Sequence, residues 1–276
     1  RCLAEIDIPS QLLEIKEGAF GNCSSLVSIE LPNSIETLGD EYGPVAYGPG
    51  GAFQNCTLLQ EINIPKNLQF LGAYTFYGCS SLNNICISKN ITKTGYYGNF
   101  FAKCESLECI TFEEGITYLP EGLFHNCASL KEIDLPYTIT EIGNGTFSGC
   151  ENLKEINLPR GVRKIGDNYG NVVSGVGGCF QGCISLKEIR LPKELVYLGA
   201  YSFNGCTNLE TVEINKKINE VGYYANVFSN CPALKTILFE NGITKIPNEL
   251  FAGCNGLEKI EIPQTVTVVG SGAFKN

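Results

Sequence analysis

The chain contains no methionine, no tryptophan and a single histidine among its 276 residues. With His125 as its one imidazole, a Ser-His-Asp or Cys-His catalytic arrangement has one residue to rest on. In an otherwise similar stretch 127 residues further on, Ala252 takes its place. Zinc-site spacing is missing too, because no Cys-x-x-Cys occurs. Basic clusters are absent: 20 Lys and Arg against 29 Asp and Glu leave a net charge of −9. That balance argues against nucleic acid or an anionic membrane as a partner. No apolar run approaches the roughly 20 residues of a membrane-spanning helix, and no G-x-x-x-x-G-K-[ST] phosphate loop is present. Carboxylates are plentiful, but an open surface offers no desolvated pocket to split their pKa values. The expectation is a non-enzyme with no cofactor and no metal.

What the chain has is repetition. Cys23, Leu26, Ile29, Leu31 and Pro32 recur as Cys127, Leu130, Ile133, Leu135 and Pro136, and again as Cys150, Leu153, Ile156, Leu158 and Pro159. Ten motif cysteines mark the register: Cys23, Cys56, Cys79, Cys104, Cys127, Cys150, Cys183, Cys206, Cys231 and Cys254. Most intervals are 23 residues, a period that signals a solenoid in which each repeat buries its apolar face against its neighbours.

A longer period lies over the short one. The intervals from Cys23 run 33, 23, 25, 23 and 23, and the same order starts again at Cys150. Segments 23–149 and 150–276 align without a gap, with about 58 of 127 positions identical. The expected organisation is one continuous solenoid over 1–276 of about eleven repeats. Residues 1–22 are the end of a preceding unit, and the two 127-residue segments are tandem five-repeat super-modules. A chain that lacks Met and starts mid-repeat reads as a segment of a longer array or a mature chain cut from one. A missing signal peptide is therefore uninformative.

Within a repeat, Leu-x-x-Ile-x-Leu alternates as a short strand does, and the Pro after it cannot continue a ladder. In Leu130–Pro136 the inward set is Leu130, Ile133 and Leu135. A second apolar stretch, such as Ile139, Ile142 and Phe147, forms the opposite wall, with Gly143 allowing a tight turn. No repeat has the ten to twelve uninterrupted residues of an amphipathic helix. The predicted fold is a β-rich solenoid with a parallel β-sheet along one face, short strands or turns on the other, and little helix. At about 4.8 Å per strand its length is on the order of 50 Å. The motif cysteines read as a column of small buried hydrophobes. Cys86 and Cys109 fall outside the column on adjacent outward strand faces, two positions out of step, with a disulfide between them left open.

The sentence Cys-x-x-Leu-x-x-Ile-x-Leu-Pro-x-x-Ile-x-x-Ile-Gly-x-x-x-Phe resembles the BspA-like (Treponema-type) leucine-rich repeats over the whole chain. The resemblance implies a leucine-rich-repeat solenoid, secreted or displayed at a cell surface, that acts in adhesion to host or matrix proteins. Localisation is accordingly expected to be extracellular or cell surface, with a protein or glycan as ligand.

Two surfaces are candidates for contact. The outward sheet face carries an acidic stripe that includes Glu132, Asp134, Glu155 and Glu188, suited to a basic partner or equally to keeping an open sheet solvated. The long repeats and their neighbours carry Tyr42, Tyr47, Tyr74, Tyr96 and Tyr97, with Tyr169, Tyr201, Tyr223 and Tyr224 in the second copy. Each set makes a tyrosine patch beside a Gly-rich loop, either a binding surface or a cap on the core. Sequons at Asn22, Asn55, Asn90 and Asn144 are glycosylation candidates should the source secrete and glycosylate; none recurs in the second copy. The alternative function is structural: open solenoid ends are templates for head-to-tail self-association into a fibre or surface layer.

Overall fold

A computed structural model describes residues 3–41, 50–170 and 177–275. Tyr42, Tyr47 and Cys2 lie outside the described residues. The described chain is all strand and turn, without helix, wound as a β-solenoid in which every strand pair is parallel. Each repeat contributes three walls.

The first wall comes from Leu-x-x-Ile-x-Leu. Its inward residues are buried as the alternation requires: Leu26, Ile29 and Leu31, or Leu186, Ile189 and Leu191. This wall is less regular than expected. Its ladder occurs in three pieces: Ser28–Ile29 with Glu61–Ile62, Asn84–Ile87 with Cys109–Phe112, and Glu188–Arg190 with Thr211–Ile214 and Thr236–Phe239. Residues 130–135 and 153–158 form no strand. The repeat register puts Glu132, Glu155 and Glu188 side by side, and like charges directly opposite one another disfavour pairing. Where the ladder is longest, Asn84 faces Cys109, Thr211 faces Thr236 and Arg190 faces Glu213.

The second wall is the more continuous one. Two-residue strands such as Glu14–Ile15, Thr37–Leu38, Phe70–Leu71 and Lys93–Thr94 stack repeat upon repeat. Where a glycine follows the strand it donates its N–H to the preceding repeat, as Gly39 does to the Ile15 carbonyl and Gly143 to that of Leu119, both at 2.8 Å.

The third wall is made of turns. Here Phe53 N–H donates to the Thr75 carbonyl and Phe76 N–H to that of Phe100. Before each motif cysteine the backbone is left-handed, with φ from 56° to 75°, and Gly or Asn fills nine of these ten positions. That preference follows from the steric cost of a Cβ there.

Two columns run through the core. Phe20, Phe53, Phe76, Phe101, Phe124, Phe147, Phe180, Phe203, Phe228, Phe251 and Phe274 stack face to face, with centroids 5.0–6.1 Å apart. Beside them each motif thiol from Cys56 onward points at the carbonyl of the phenylalanine one repeat back. Cys79 Sγ lies 3.2 Å from Phe53 O, and Cys150 Sγ 3.2 Å from Phe124 O. Burial pushes the motif thiols from Cys104 onward up, to about 12 for Cys150 and Cys254 and about 11 for Cys231, while a hydrogen bond with Cys79 lowers Cys56. No disulfide joins cysteines among the described residues. Cys86 and Cys109 are exposed and diagonal, facing Thr111 and Asn84 respectively.

Candidate functional site

The tyrosines gather where the second wall turns into the third. Gly95 and Gly222 are followed by tyrosine pairs in T-shaped contact, Tyr96–Tyr97 at 5.1 Å and Tyr223–Tyr224 at 5.2 Å. Tyr96 and Tyr223 are 66% and 77% exposed, so these rings do not serve as core. Tyr224 reaches two repeats back to Tyr169, centroids 6.4 Å apart. Tyr201 lies against Gly170, where a Cβ would stand 2.7 Å from its Cδ2. The four tyrosines of the second copy therefore share one rim.

In the first copy, Tyr74 meets Tyr77 edge to face at 5.7 Å, and Lys103 Nζ sits 5.4 Å above the Tyr77 ring, an arrangement of cation–π type. Burial pushes the Tyr74 phenol up, with Asn99 hydrogen-bonding against it and Tyr77, Tyr97 and Glu121 close by. The Tyr96 N–H donates to the Glu41 carbonyl at 2.7 Å, tying the rim to the long repeat.

Tyr74 and Tyr201 have left-handed backbones, both at φ 58°, where Gly18, Gly122 and Gly145 stand in other repeats. A bulky residue there is an outlier that costs on the order of 1 kcal/mol. Their carbonyls press on Gly51 and Gly178, at which any Cβ would collide with them. Sequence reasoning missed Tyr77, Lys103 and Tyr197. The last donates its hydroxyl to Asn168 Oδ1 at 2.7 Å, and burial, with Asp167 and Glu220 nearby, pushes its phenol up to about 12. Tyr77 was findable, being one turn on from Tyr74.

Glu132, Asp134, Glu155 and Glu188 are all exposed on the first wall. Glu155 and Glu188 line an open cleft of about 920 Å³ together with Glu213, Glu240, Arg160 and Arg190. Arg190 lies 4.0 Å from Glu188, so the stripe is partly neutralised. No group of three His, Cys, Asp or Glu among the described residues is placed to hold a metal ion. His125 is half-buried with its Nε2 3.0 Å from Asn126, and burial pushes it down, which keeps it neutral. Of the sequons, Asn22 and Asn90 are exposed and Asn55 is half-buried, its amide donating to Asn22 Oδ1 at 3.1 Å. Asn144 is 3% exposed and its Oδ1 accepts the Asp167 N–H at 2.7 Å. A glycan has no room there, which removes Asn144 from the candidates.

No helix is long and apolar enough to cross a membrane. No curated protein sequence matches the chain. Among solved structures, a leucine-rich repeat protein from Bacteroides ovatus is similar at 27% identity, with TM-score 0.67 over 96% of this chain and 68% of that one. A leucine rich cell surface protein from Faecalibacterium prausnitzii shares the fold at 24% identity, with TM-score 0.54 over 97% and 78%. A leucine-rich repeat protein from Eubacterium ventriosum shares it at 21%, with TM-score 0.51 over 95% and 80%. The BspA type leucine rich repeat region matches in six copies over residues 1–42, 49–169 and 177–276, and the chain belongs to that family.

Proposed function

We propose that the chain is a non-catalytic scaffold, extracellular or at a cell surface, that holds a protein partner on its tyrosine rims. The scaffold presents two copies of one surface, on super-modules 23–149 and 150–276. The observation that carries this reading is that exposed tyrosines are held rigidly in pairs, with Tyr74 and Tyr201 kept in a backbone conformation that glycine would occupy at lower cost. Tyrosine buries large area at low entropic cost and carries a hydroxyl, which suits a contact surface. The acidic stripe then favours basic partners and speeds encounter. The family resemblance adds adhesion as the setting. Against an array of immobilised matrix proteins, the chain should bind at least one. The variant with Tyr96, Tyr97, Tyr223 and Tyr224 all replaced by Ala should lose that binding while keeping its far-UV spectrum. Unchanged binding would remove the rims.

A further inference from the structure

The second wall is broken twice, at corresponding places. Wherever glycine follows the short strand, its N–H bonds to the preceding repeat: Gly95 to Leu71, Gly143 to Leu119, Gly222 to Leu198, Gly270 to Ile246. Pro120 and Pro247 stand at that position in the two repeats that follow the 25-residue ones, and proline has no N–H to give. The ladder stops there. Lys93–Thr94 does not pair with Tyr118–Leu119, nor Glu220–Val221 with Lys245–Ile246. No Cα of one strand comes within 8 Å of the other at either break, against about 4.8 Å for a paired ladder. The other walls hold: Asn84–Ile87 stays paired with Cys109–Phe112, and Thr211–Ile214 with Thr236–Phe239. Each break is thus a slot in one wall of a closed body.

Both slots are open clefts. The first, about 340 Å³, is lined on its inner side by Leu71, Ile87, Ile91 and Ile116. The second, about 520 Å³, is bordered by Tyr197, Tyr223 and Lys245. Groups in a strand point alternately to its two neighbours. By that alternation Thr94 N–H and C=O face the first slot from one edge and Tyr118 N–H and C=O from the other, as Val221 and Lys245 do in the second. Two ladder steps span about 9.6 Å, so one additional strand fits between such edges.

We propose that each slot takes an extended peptide segment of a partner protein as an inserted parallel strand. Its main chain bonds Thr94 and Tyr118, or Val221 and Lys245, and alternate apolar side chains point into the cleft. Donors and acceptors alternating on both edges match a peptide main chain, whereas a glycan has no such repeat. The partner's remaining side chains come out beside Tyr96 or Tyr223, so the slot deepens the binding-scaffold reading and rests on it.

The probe is a phage-displayed library of random 12-residue peptides, panned on the whole chain. Recovered peptides are expected to slow amide exchange in segments 92–96 and 117–121, or 219–223 and 244–248. The double variant Thr94→Pro, Val221→Pro removes one of the two N–H groups that face each slot and leaves the existing ladder bonds in place. It should keep the fold and bind the peptides at least tenfold more weakly. A library that yields no binder, peptides that bind the proline variant as before, or an oligosaccharide that occupies the slots in their place overturns the proposal. Tyrosine variants that bind these peptides normally sink the rims alone, and proline variants that bind normally sink the slots alone.

Discussion

At the scale of the residue, cysteine recurs once per turn because one position asks for two things. The site is closed on all sides, so only a small side chain fits, and a phenylalanine carbonyl one repeat away points into it. A buried carbonyl without a partner is costly. The thiol fills the space as a hydrophobe and supplies a weak donor, which alanine does not, while serine adds a hydroxyl with a larger desolvation cost. Thiolate is the reactive form, and burial suppresses it here. Cys86 and Cys109 differ, being exposed on the first wall. With the folded chain at pH 8 and brief iodoacetamide, peptide mapping should find Cys86 and Cys109 alkylated and Cys79 through Cys254 of the column untouched. Labelling of the column at the same rate would mean that the core opens on that timescale.

At the scale of the element, the phenylalanine stack decides where the chain is vulnerable. Phe147 lies between Phe124 and Phe180 with no exposed surface, while Phe20 stacks on Phe53 alone among the described residues and is half-buried. Phe147→Ala should therefore cost about 3–5 kcal/mol, as full removal of a buried aromatic does, and Phe20→Ala markedly less. Urea midpoints of the two variants check the order, and equal losses would contradict it. The stack was legible in the sequence because Phe follows Ile-Gly at a fixed spacing, and the inward Leu and Ile of the first wall were legible from alternation. The weakness of the first-wall ladder was not, since it depends on which outward residues become neighbours, Glu132 beside Glu155 beside Glu188, and charge repulsion across strands is invisible to a one-strand pattern. The rims were half legible: Tyr96 and Tyr97 stand out as a pair, but the left-handed backbone at Tyr74 follows from its place in the turn. Pro120 and Pro247 were in plain view and became meaningful only once glycine's N–H at that position proved to be the bond between repeats.

At the scale of the whole molecule, a solenoid has no single centre whose loss unfolds it, so its response to conditions is a sum over repeats. From Cys104 onward the thiol column makes that sum pH-dependent with one sign. A thiol whose folded pKa is raised stabilises the fold fully below its unfolded pKa, about 8.5 to 9, and that stability is lost as pH rises toward the folded value. Cys150 and Cys254, pushed up to about 12, and Cys231, to about 11, each act in that window. Burial shifts Cys104, Cys127, Cys183 and Cys206 in the same direction. The unfolded chain releases these protons first, so each thiol withdraws about 1.4 kcal/mol per pH unit above 9. Unfolding free energy from urea titrations in reducing buffer should fall with increasing steepness from pH 9 to 11. Cys150→Ala, whatever it costs at neutral pH, should make that fall shallower by about one thiol's share of 1.4 kcal/mol per unit. A slope that Cys150→Ala leaves unchanged would show that the column titrates as exposed thiols do, and the packing that closes each repeat over its neighbour would have to be looser than its fully buried side chains indicate.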